Sequence, residues 1–125
     1  MDDVGSVITS QVDLLWSVAL AMLVSESYLI ARFLTGRKET LGLIAKLALG
    51  GSIIGHFLSM VFGYLTYGSV VEMVRVSDSG GEALQYYRDA AFSGVVQCGA
   101  FAVALLLFLA VFFLNSKVIG SALSD

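Results

Sequence analysis

Four side chains able to do chemistry stand inside long apolar stretches of this sequence: Glu26, Lys46, His56 and Cys98. A carboxylate and an imidazole can hold or pass a proton. An ammonium beside a carboxylate makes an ion pair. A thiol acts as nucleophile or metal ligand only where its surroundings favour the thiolate, and in apolar surroundings it is inert. With one cysteine and one histidine in 125 residues, an internal disulfide and every multi-cysteine metal motif are excluded. There is no HExxH, no nucleophile elbow and no phosphate-binding loop. The expectation is a protein without catalytic or metal residues.

Ionisable groups within apolar segments are expensive and usually find partners. Glu26 falls about seven residues before the end of the first apolar stretch, and Lys46 about five after the start of the second. Both therefore sit roughly 8–10 Å into a hydrocarbon core. An ion pair between Glu26 and Lys46 is expected, with Ser25 and Tyr28 as further hydrogen-bonding neighbours. The alternative has Lys46 snorkelling to the headgroups and Glu26 protonated or facing another subunit. His56 is expected near the bilayer midplane, with Gln97 of the third stretch as its neighbour. It is read as a packed, hydrogen-bonded imidazole, or as a proton site, or as an axial ligand of haem b. One histidine supplies only one axial ligand, so haem would need a second from a partner.

The elements that must carry these residues are membrane helices. The chain is 58% hydrophobic and 14% charged, with 13 glycines and no proline. A soluble domain carries about 25% charge. Three apolar stretches, residues 12–33, 41–67 and 90–114, each reach the roughly 20 residues that a bilayer core requires. The expected fold is an all-α membrane protein: one domain, three transmembrane helices, N-terminus outside and C-terminus in the cytoplasm. Sidedness follows from Arg32, Arg37, Lys38 and Lys117, set against the acid-balanced second loop at residues 72–89. Trp16, Tyr64, Tyr67, Tyr86 and Tyr87 mark an outer aromatic belt, and Asp13 is interfacial. The acidic start, Met1-Asp2-Asp3, lacks the basic region of a secretory signal, so the first helix is expected to be retained. Ser79 and Glu82 have capping-box spacing. The third helix is therefore expected to begin near Gly81 and the second to reach about Val74, as a hairpin rising above the outer surface.

Small residues give the packing. Ala48, Ser52, Gly55, Ser59 and Gly63 form one stripe, overlapped by Gly51-x-x-x-Gly55. Gly94, Cys98 and Ala102 form another on the third helix. Such stripes let helices approach closely in lipid. They pack the second helix on the third, or one subunit on another. Lys46 lies about 140° from the centre of the small stripe, toward the first helix.

Three functions fit. One is a small non-catalytic membrane subunit assembling with itself or with other membrane chains. Another is a proton- or ion-handling oligomer using Glu26, Lys46 and His56, with a topology similar to that of some phage holins, although the strongly basic tail of many holins is missing. The last is a haem or quinone anchor, since the architecture resembles the three-helix anchor subunits of succinate dehydrogenase, with His56 as ligand. The partners expected are the lipid bilayer and membrane proteins, with no basic tract for nucleic acid. The expected location is a bacterial or viral-host inner membrane.

Overall fold

The computed structural model describes residues 2–35 and 41–124, with the side chains of residues 4–33 and 41–124 except 122. The expected turn bearing Arg37, Lys38, Glu39 and Thr40 lies outside the described residues.

Every described element is a helix: α1 (Asp2–Thr35), α2 (Leu43–Asp78), α3 (Leu84–Leu114) and α4 (Ser116–Ser124). The first three are long and apolar enough to cross a membrane. Their 34, 36 and 31 residues exceed the roughly 20 that a core requires. With no proline to interrupt the backbone hydrogen bonds, nothing local stops them earlier. The chain is therefore a multi-pass membrane protein by architecture.

A seven-residue repeat sets the bundle. The buried residues of α2 are Ala45, Leu49, Ser52, His56, Ser59, Gly63, Thr66, Val70 and Met73, alternately four and three apart. In α1, Gly5, Val12, Ala19 and Glu26 are buried at seven-residue intervals. In α3, Ala90, Gln97, Ala104 and Val111 repeat likewise, with Ser93 between. A 3.5-residue repeat keeps one seam facing a partner along a left-handed supercoil. α2 carries the most continuous seam and packs against both α1 and α3. Its seam is apolar at both ends and polar from Ser52 to Thr66.

Apolar clusters close the two ends. One joins Leu29, Leu41, Ala45, Leu49, Val111 and Ile119. The other joins Val70, Met73 and Ala90, flanked by Ile8, Ala83 and Tyr86. Ile119 belongs to α4, a helix where the sequence suggested only a tail. Asn115 breaks α3, with its amide Nδ2 donating to Val111 O at 3.0 Å. α4 then folds back so that Ile119 is 1% exposed.

The connection from α2 to α3 differs from the expected capping box. Ser79 caps the C-terminus of α2, and Gly80 follows at φ 77°. Gly81 N donates to Val76 O at 2.9 Å and Gly80 N to Ser77 O at 3.0 Å, the bond pair of a Schellman stop. Ser79 Oγ turns back to Val76 O. Hence α2 runs to Asp78, and α3 starts at Leu84 with Ala83 as N-cap and no side-chain cap. A glycine free to take positive φ decides this turn.

Candidate functional site: a buried glutamate–histidine centre

The bundle brings Glu26, Ser52 and His56 together, all with no exposure. Glu26 stands on α1 at a repeat position, while Ser52 and His56 are one turn apart on the seam of α2. His56 Nδ1 lies 3.1 Å from Glu26 Oε1. Ser52 Oγ bonds the same carboxyl oxygen, and it also reaches Ala104 O of α3 at 2.8 Å. Three helices thus meet at one hydroxyl, which has a single proton for two acceptors. The His56 ring also meets Phe101 of α3 edge-on, with centroids 5.4 Å apart. Carboxylate with imidazolium, or acid with imidazole, the pair has no net charge, which is how a low-dielectric core tolerates it.

Lys46 is not part of this centre. It is exposed, and among the described residues the ion pairs are His56–Glu26 and Arg75–Glu72. The expected Glu26–Lys46 pair is therefore corrected, for two reasons. Helix α1 continues to Thr35 and α2 begins only at Leu43, so the residue at Glu26's depth is Ser52. Lys46 also follows the seam residue Ala45, which turns it about 100° outward. The expected polar neighbours move too. Ser25 is exposed with its hydroxyl on Ala21 O, and Tyr28 is 56% exposed.

His56 and Gln97 are both fully buried, but no hydrogen bond joins them. Five atoms on the seam make none among the described residues: Glu26 Oε2, His56 Nε2, Ser59 Oγ, and Gln97 Nε2 and Oε1. Gln97 sits where all three long helices converge. A Cβ on Gly63 would come within 2.6 Å of both Gln97 Nε2 and Trp16 Nε1. Trp16, expected in an interfacial belt, donates Nε1–H to Met60 O at 2.8 Å and so ties α1 to α2. Toward the α2–α3 turn, Thr66 Oγ1 donates to Ser93 Oγ at 2.9 Å.

The small residues of α2 are used within the chain. A Cβ on Gly55 would meet Ala104 Cβ at 2.8 Å, and one on Gly51 would meet Leu107 Cδ1 at 3.2 Å. Ser52 and Ser59 share this face, while Ala48 is half-buried beside the apolar end cluster. The proposed partner stripe on α3 is displaced. Gly94 touches Thr66 only distantly, Cys98 Sγ accepts from Gln11 Nε2 of α1 at 3.0 Å, and Ala102 is exposed. The face of α3 toward α2 is instead Ala90, Ser93, Gln97, Ala104 and Val111, legible as a seven-residue repeat.

Chemically, a carboxyl and an imidazole in contact can share a proton. With Glu26 accepting from Nδ1–H, Nε2 keeps its lone pair. Nε2 is the one ring nitrogen a ligand could take, and the close approach of Gly55 to Ala104 packs α2 on α3 one residue away. Among the described residues no group of three or more His, Cys, Asp or Glu is placed to hold a metal ion. No family model matches the chain, and no curated protein or solved structure is significantly similar to it.

Proposed function

We propose that the chain is a small non-catalytic subunit of a membrane assembly, built around the Glu26–Ser52–His56 centre. One observation carries this reading: the polar side chains that could act together are turned inward, while the outward faces of the spanning helices are apolar. Ile44, Ile54, Phe92, Val95, Leu106 and Phe113 are all more than 60% exposed. Lipid and neighbouring membrane helices suit that surface. Gly50, Gly68 and Gly99 have open space beside them, where another helix could approach closely, whereas Gly51, Gly55 and Gly63 are occupied within the chain. Basic residues near the α1–α2 connection and in α4 favour an N-outside, C-cytoplasmic orientation. The lengths of α2 and α3 favour a hairpin protruding on the outer side. A bacterial or viral-host inner membrane is the proposed setting. Native mass spectrometry from lipid nanodiscs tests the assembly. An oligomer or a co-purified membrane partner is expected, and a strictly monomeric, partner-free chain at native density contradicts it.

A second reading, proton handling, is favoured by the unpartnered Nε2 of His56 and Oε2 of Glu26. Buried ionisable groups in membranes mark proton sites more often than chance. Protons released by the nanodisc-embedded protein on raising the pH, counted with an external pH dye, should fall on Glu26→Gln. A release unchanged by Glu26→Gln contradicts this reading.

A further inference from the structure

The polar seam ends on an apolar plug toward one side and comes close behind a surface groove on the other, and that asymmetry assigns it a route. Toward the α1–α2 connection, Leu29, Leu41, Ala45, Leu49, Val111 and Ile119 pack into a continuous apolar plug. Water has no polar partner there. Toward the N-terminal half of α1 lies a groove of about 340 Å³ lined by Val12, Asp13, Trp16, Gly63, Tyr64 and Tyr67. Its floor is Gly63, the residue against which Gln97 Nε2 and Trp16 Nε1 both rest. Behind that floor stand the unpartnered Gln97 amide, Ser59 Oγ and His56 Nε2. They are ordered along the seam, with Ser59 three residues past His56 and four before Gly63. From His56 to Gly63 the helix rises about 10 Å, too far for one hydrogen bond. Buried polar atoms left without protein partners are the usual anchors of internal water.

We infer that Gln97 and Ser59 hold water that connects the Glu26–His56 centre to the Asp13 groove, with the Gln97 amide and the Trp16 indole, which meet at Gly63, as its door. This rests on the proton-handling reading and adds to it a route and a side. From the neutral pair, Nε2–H releases a proton through the water file to the groove as Glu26 Oε1 returns its own to Nδ1, leaving carboxylate and imidazole. A hydronium ion in the groove reverses the sequence and becomes water. A methyl group at residue 63 would wedge against both the Gln97 amide and the Trp16 indole. The Trp16 bond to Met60 O holds the indole there.

The single histidine makes the test site-specific. Protein labelled with [15N]histidine in lipid nanodiscs gives one imidazole, whose exchange with water protons is read by NMR. The expected result is measurable exchange in the parent chain, at least tenfold slower in Gln97→Leu and faster in Trp16→Phe. Slower exchange is the direction that loosening or misfolding cannot mimic, and the conservative Gln97→Asn should restore part of the rate. Exchange in the parent chain that is unchanged by Gln97→Leu overturns the route while leaving proton handling standing. No exchange in the parent chain overturns both.

Discussion

At the residue scale, the centre depends on angle as much as on depth. Glu26 was legible in the sequence as a group needing a partner, because a carboxyl among apolar residues has few alternatives. Its partner was not, because depth counted from apolar boundaries ignores how far each helix continues. Both helix ends were displaced, and Lys46 stood one residue off the seam. Losing one member of a buried pair costs about 3–5 kcal/mol in soluble proteins, whereas replacing both with apolar groups costs less. Glu26→Leu or His56→Leu alone should therefore destabilise the bundle by about 3 kcal/mol, and the double substitution by less than the sum. Lys46→Met should lie within about 0.5 kcal/mol of the parent. Reversible unfolding in mixed micelles measures all four. Additive single effects, or a large Lys46 effect, would return the pair to its sequence-based partner.

At the element scale, the glycines separate into those that permit contact and those that do not. Even a methyl at Gly55 would press on Ala104, and a larger side chain must push α2 away, so Gly55→Val should cost roughly 1–3 kcal/mol. Gly99 has nothing within 4 Å, so Gly99→Ala should be neutral or gain up to about 1 kcal/mol of helix propensity. Gly80, at φ 77°, should lose about 1–2 kcal/mol as alanine. Thermal unfolding followed by circular dichroism compares the three, and equal effects would refute the distinction. The small face of α2 was readable as a stripe, because its residues recur at helical spacing. The facing side of α3 was not, since Gln97 and Val111 are not small and join the pattern only through the repeat of seven. The α2 stop was misread because Ser79 and Glu82 match a cap by spacing alone, while the positive φ of Gly80 is a property of the folded turn. Helix α4 left a weak signal, with Val118 and Ile119 as the inward residues among its described side chains.

At the scale of the whole molecule, a bundle with an apolar exterior and a polar middle reverses the soluble pattern, and composition alone made that legible. Three spans place the α2–α3 turn and the end of α4 on opposite sides. In a Cys98→Ala background, Ser79→Cys should react with an impermeant maleimide from outside intact cells, and Ser124→Cys only after lysis. The opposite pattern would invert the topology, and labelling of both from one side would remove a span. The account turns on His56 meeting Glu26 where the three long helices converge. The most direct measurement is the 15N spectrum of the single histidine in lipid bilayers, compared between the parent chain, Glu26→Gln and Lys46→Met. The account predicts a strongly hydrogen-bonded Nδ1 whose shift moves on Glu26→Gln and stays in place on Lys46→Met. An Nδ1 signal indifferent to Glu26→Gln would contradict it.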